Sequence, residues 1–153
     1  MGEVLALEHI AVLCSDLERS KHFYGNLLGL NVLEYAYHDG GAIDKMTATK
    51  GVYMSEYRLR APGGPGPASG PGFTIDLIQW VRPAGEVKRP AINEIPGAHF
   101  AFGVKDLVAT YERLHAAGVE FVSDPVIFPD EEGGWRVIFL RDPDGFLLEL
   151  VQV

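Results

Sequence analysis

A single cysteine, Cys14, stands in this chain of 153 residues, so no disulfide can form within it, and a lone thiol suits a reducing cytoplasm. No apolar run reaches the roughly 18 residues that a membrane-spanning helix needs. The opening MGEVLALEHI lacks a basic region and a cleavage site, so no signal peptide is expected, and GEVLA lacks the Ser or Thr of a myristoylation signal. Basic residues are in the minority. Thirteen Lys and Arg against 21 Asp and Glu leave a formal net charge of −8, with no basic stripe to neutralise phosphates, which argues against nucleic acid as a partner. The chain has no G-x-G-x-x-G or P-loop for a nucleotide and no local signature of Ser-His-Asp catalysis. What remains is an acidic, globular, cytoplasmic chain whose 47% hydrophobic content suffices for a core.

The ending GFLLELVQV places Phe146, Leu148 and Leu150 on one face of a strand and Leu147, Glu149 and Val151 on the other. Both faces read as apolar, so Glu149 is a carboxylate in an apolar wall, where an unpaired charge costs several kcal/mol. The same pattern occurs earlier. Residues 72–80, GFTIDLIQW, share G-F-x-φ-acid-L-φ-Q-φ (φ apolar or aromatic), with Asp76 in the place of Glu149. Upstream, EHIAVLCSDLERS and AHFAFGVKDLVAT share H-x-A-x4-D-L, which sets His9 against His99 and Asp16 against Asp106.

An internal repeat fixes architecture before any single motif does. It divides the chain into a first module over 1–82, a linker over 83–95 and a second module over 96–153, with a Gly/Pro-rich insertion, 61–72, in the first. Strand patterns near 5–13, 31–38, 50–60 and 72–81 surround one helix, SDLERSKHFYGNLLG, with Ser15 and Glu18 as its capping box and Gly29 as its stop. The second module repeats the order: strand 97–103, helix 105–117 stopped by Gly118, then strands near 119–122, 134–140 and 145–152, the last two joined by the turn RDPDG. Each module is β-α-β-β-β. A lone module of this kind would leave one sheet face bare, so the two should pair, and the expected fold class is α+β.

His9 and His99 lie on first strands, Asp76 and Glu149 on last strands. If a pseudo-twofold axis relates the modules, two imidazoles and two carboxylates converge. That set suits a divalent metal of borderline hardness, which would also relieve the burial of both acids. The alternative is that each acid pairs with a nearby His in a hydrogen-bonded core without metal.

HIAVLCSDLERSKHFYGNLLGL and FLRDPDGFLLEL resemble the opening and closing motifs of the vicinal oxygen chelate superfamily, which includes glyoxalase I, methylmalonyl-CoA epimerase, extradiol dioxygenases and the fosfomycin and bleomycin resistance proteins. The resemblance implies two paired β-α-β-β-β modules forming a cupped, partly closed mixed sheet with helices outside, one metal ion (Zn, Ni, Co, Mn or Fe) held by His9, Asp76, His99 and Glu149, a small-molecule substrate and a homodimer. Asp76 departs from the Glu, Gln or His usual at its position, and Phe146 from the Asn that often follows D-P-D-G.

The chemistry so implied is that of a metal-dependent lyase or isomerase, with Glu149 as the base that moves a proton next to a carbonyl. If Asp76 is not a ligand, His9, His99 and Glu149 make the two-histidine, one-carboxylate set of an Fe(II) ring-cleaving dioxygenase. A ligand-sequestering resistance protein without catalysis is the third reading. For the pocket walls the sequence offers aromatic and thioether residues, among them Tyr53, Tyr57, Trp135, Met46 and Met54. Arg58, Arg60 and Arg136 are candidate anchors for a substrate anion, while His22, His38 and His115 read as ordinary exposed residues. The segment 61–72 reads as a hairpin tip or as a lid.

Overall fold

The computed structural model describes residues 7–62, 74–128 and 134–153, with the backbone alone at Trp135. The chain divides into two units, Met1–Glu86 and Val87–Val153, and the division falls inside the segment read as a linker. In the first unit, β1 (His9–Leu13) pairs in parallel with β4 (Thr74–Arg82). β3 (Tyr53–Arg60) runs antiparallel to β4, and β2 (Asn31–Asp39) antiparallel to β3, giving the order β1-β4-β3-β2. In the second, β5 (His99–Val104) is parallel to β9 (Leu147–Gln152). β9 is antiparallel to β8 (Trp135–Arg141), which also pairs with the short β6 (Glu120–Phe121) and β7 (Val126–Phe128). The fold class is α+β with two mixed sheets.

A parallel pair needs a crossover, and in each unit a helix follows the first strand. α1 starts as α turns over Leu17–Lys21 and widens to π turns over His22–Leu27. It buries Leu17, Phe23 and Tyr24, packing on β3 and β4, where Leu59, Ile75 and Leu77 are buried with Val12 of β1. In the second unit α3 (Leu107–Ala116) buries Leu107 and Leu114, and Ile138, Leu140, Leu148 and Leu150 of the sheet are equally buried. Each such leucine withdrawn from water contributes about 2 kcal/mol. Gly29 and Gly118 follow these helices with φ of +82° each, a conformation that favours glycine.

The repeated motifs earn their recurrence here. Asp16 and Asp106 are the N-caps, accepting from Arg19 N at 2.9 Å and Ala109 N at 3.0 Å. The capping box expected at Ser15 therefore belongs to Asp16, and Ser15 Oγ instead accepts from the Arg19 side chain at 2.9 Å. The repeated glutamines close the same joint. Leu17 N donates to Gln79 Oε1 at 3.2 Å and Leu107 N to Gln152 Oε1 at 3.1 Å, so each last strand is tied to the first turn of its helix.

Two elements were not expected. α2 (Ala42–Thr47) fills the β2–β3 connection, held by Asp44, which accepts from Gly51 N and Val52 N at 2.9 Å each. Those two backbone groups, Gly51 first, hold the Asp44 carboxyl below its ordinary value. Ile43 of α2 then packs with Val52 and Met54, flanked by Ile78 and Trp80, as a small core on the sheet face away from α1. β7 is the second addition, an extra strand on β8. The RDPDG turn forms as read: buried Asp142 accepts from Asp144 N at 3.0 Å and Phe146 N at 2.8 Å, and Gly145 has φ of +93°. No helix among the described residues is long and apolar enough to cross a membrane.

Candidate functional site

Strand alternation puts His9 of β1, Asp76 and Ile78 of β4, Met54, Glu56 and Arg58 of β3, and Glu34 and His38 of β2 on the face opposite α1. The register sets Glu34, Arg58, Asp76 and Ala11 in one row across the four strands. Within that row Arg58 Nε and Nη2 donate to Asp76 Oδ1 and Oδ2 at 2.9 and 2.8 Å, and Arg58 Nη1 lies 3.1 Å from Glu34 Oε1. Asp76 is only 3% exposed. The Arg58 hydrogen bonds hold its carboxyl below the ordinary value, overcoming the upward push of burial, and Arg58 is raised in turn. His9 stands beside on β1, half-exposed, with its Nδ1 against the Glu8 carboxylate.

The same face carries a cavity of about 330 Å³. His9, Asp76, Arg58, Glu56 and His38 form its polar wall, and α2 with Met54 and Ile78 its apolar wall. Glu56 is largely withdrawn from solvent, its side chain 15% exposed, and Oε1 lies 3.7 Å from His38 Nε2.

In the second unit the repeat changes at one position. The register row through Glu149 reads Ala101, Glu149, Phe139, so Phe139 occupies the place that Arg58 holds beside Asp76. Glu149 is 9% exposed and has no guanidinium partner among the described residues; it faces the imidazole of His99, with Nε2 3.4 Å from Glu149 Oε2. The His99 ring stands edge-on to Phe139 with centroids 5.1 Å apart. Arg141, farther along that face, donates instead to Gly145 O at 2.7 Å and Pro90 O at 3.0 Å, bracing the turn.

The four residues singled out as metal ligands thus form two pairs of unlike character. Within either unit, among the described residues, no three His, Cys, Asp or Glu side chains gather as a ready metal cluster. His99 and Glu149 fit a divalent cation: an imidazole and an uncommitted carboxylate within one coordination sphere's reach. His9 has a donor imidazole of the right kind. Asp76 fits poorly, because both its oxygens accept from a guanidinium that would repel a cation.

The sequence-derived pocket residues are placed differently from the reading above. Tyr57 lies on the α1 face of the sheet, donating to Glu18 Oε1 at 2.8 Å beneath the Lys21 ammonium, 4.6 Å from its ring centre. Tyr53 contacts Tyr37 and Arg82. Arg136 alternates away from the Phe139–Glu149 face. Met46 and Met54 do line the cavity. The side chain of Trp135 lies outside the described residues, as does 63–73, most of the segment read as a lid. Sequence reasoning missed Arg58 as the partner of Asp76, and His38 and Glu56 as cavity residues. Their alternation along β2 and β3 was visible, but the register that aligns them was not.

Comparison with known proteins agrees with this architecture. The chain is 31% identical over 147 residues to the uncharacterized protein YwkD of Bacillus subtilis, covering 96% of each. It is 27% identical over 146 residues to a probable lactoylglutathione lyase of Synechocystis sp., covering 95% of this chain and 94% of that one. A crystal structure of a glyoxalase family protein from Bacillus cereus superposes with a TM-score of 0.83 at 20% identity, over 99% of this chain and 95% of the other. The pattern of the Glyoxalase/Bleomycin resistance protein/Dioxygenase superfamily matches residues 6–150, and the chain belongs to that superfamily.

Proposed function

We propose that the protein is a metal-dependent lyase or isomerase of the glyoxalase type, in which Glu149 moves a proton on a small oxygenated substrate. The observation that carries this reading is the environment of Glu149: a buried carboxylate with Phe139 where its counterpart has Arg58, and with the His99 imidazole as its partner among the described residues. A carboxylate left free of permanent ion pairing can accept a proton and release it. His99 and Glu149 would hold the divalent cation in the second unit, and Asp76 stays with Arg58 in the first. When bound, the cation supplies Lewis-acid stabilisation of negative charge developing on substrate oxygen. His99 positions Glu149, and the apolar neighbours Phe139 and Val137 limit water around it. Similarity to a probable lactoylglutathione lyase supports proton transfer next to a carbonyl.

The Arg58–Asp76 pairing also favours a second reading, since it leaves two histidines and one carboxylate, the donor set of Fe(II) dioxygenases. Assays of metal-reconstituted protein separate the two. Turnover of methylglyoxal hemithioacetals or acyl-CoA epimers without oxygen uptake supports the lyase or isomerase. Oxygen consumption with catechols and Fe(II) replaces it with the dioxygenase.

A further inference from the structure

We propose that the first-unit cavity binds a short apolar chain ending in an ammonium group, held by Glu56. This goes beyond the reading of Glu149 above, and the binding is measured without turnover.

The argument starts from charge. Three charged side chains, Arg58, Asp76 and Glu56, line the cavity. Arg58 is spoken for: its three closest contacts run to Asp76 and Glu34 at 2.8 to 3.1 Å, so its charge is offset twice. Among the described residues Glu56 has no comparable partner. It sits between Ile78 on β4 and Ala36 on β2 in the register, with Met54 two residues before it, and the His38 imidazole is at 3.7 Å, beyond hydrogen-bond length. A carboxylate drawn out of water among apolar neighbours with so loose a partner gains most from a ligand that brings a charged donor. An anion would meet the net negative wall instead.

Shape agrees. The polar wall runs across the sheet from His9 on β1 to His38 on β2, and Glu56 lies on it next to the apolar side chains of Met54 and Ile78. Buried Ile43 and Met54 floor the space, and Met46, 75% exposed, stands at its mouth as an adaptable thioether. A volume of about 330 Å³ is at the small end of ligand pockets and suits one short chain.

Hexylammonium, hexanol and hexanoate share one chain and differ in head group. Titrated into the full-length protein and followed by calorimetry and by amide NMR shifts of β3 and α2, the ammonium should bind about tenfold more tightly than the alcohol, with hexanoate weakest. Glu56→Gln keeps the side-chain size and should erase the ammonium preference. Met46→Lys, at an exposed position that does not threaten folding, should weaken the ammonium by a similar factor by placing a like charge at the mouth. Hexanoate binding as tightly as hexylammonium, an unchanged preference in Glu56→Gln, or binding by none of the three would each overturn the proposal. Running the titrations on both chelator-stripped and metal-loaded protein separates this from the metal reading: loss of metal binding leaves the head-group preference standing, and loss of the preference leaves the metal assay untouched.

Discussion

Arg58 grips Asp76 through two parallel hydrogen bonds of 2.9 and 2.8 Å, while the repeat-equivalent Glu149 faces Phe139 and, among the described residues, the His99 imidazole. One strand position therefore separates a carboxylate paired with a guanidinium from one beside a phenyl ring. The duplicated motif is symmetrical in sequence and asymmetrical in chemistry.

Asp76→Asn should destabilise the protein by roughly 2 kcal/mol in urea unfolding, because it removes one of the two carboxylates that pair with Arg58 and leaves Glu34. Metal binding should persist in that variant. Simultaneous loss of stability and metal would return Asp76 to the ligand set.

The same pair sets an acid limb. The folded Asp76 carboxyl titrates below its ordinary value of 3.8 because Arg58 bonds its charged form. Its stabilisation is therefore complete above that value and fades as pH falls toward the folded pKa. Arg58→Met should remove this limb from a stability-versus-pH series. An unchanged acid profile would show that the pair carries no pH-dependent stability.

Gln79→Ala and Gln152→Ala should each cost about 1 kcal/mol, since each frees a helix-start N–H that the glutamine side chain satisfies. Asp16→Ala and Asp106→Ala should cost a similar amount, about 1 kcal/mol, as lost N-caps. Thermal unfolding of the four variants checks both statements, and a Gln variant as stable as wild type would remove the strand-to-helix tie.

Glu149→Gln should lower turnover by about 100-fold or more, with the fold intact by circular dichroism. Phe139→Arg should have a comparable effect by giving Glu149 the partner that Asp76 has. Wild-type activity in Glu149→Gln sinks the assignment of the base.

The two-module order was legible because hydrophobic alternation and paired motifs are local properties. The roles within the motifs were less so. The sequence paired Asp16 with Asp106 and Gln79 with Gln152 without assigning them a role; they recur because both units must join a strand to a helix in the same way. The partner of Asp76 depends on cross-strand register across the insertion, which no local pattern encodes. α2 escaped notice because AIDKMT is too short for a periodic signal and is held by Asp44 rather than by propensity. Tyr53 and Tyr57 looked like pocket walls by composition, but they alternate onto the helix-facing side.

The most direct test is the metal content of purified, reconstituted protein by mass spectrometry, compared with Asp76→Asn and His99→Ala. The account predicts about one equivalent of divalent metal in the wild type, kept in Asp76→Asn and lost in His99→Ala. No bound metal after reconstitution, or metal lost in Asp76→Asn and kept in His99→Ala, would contradict it.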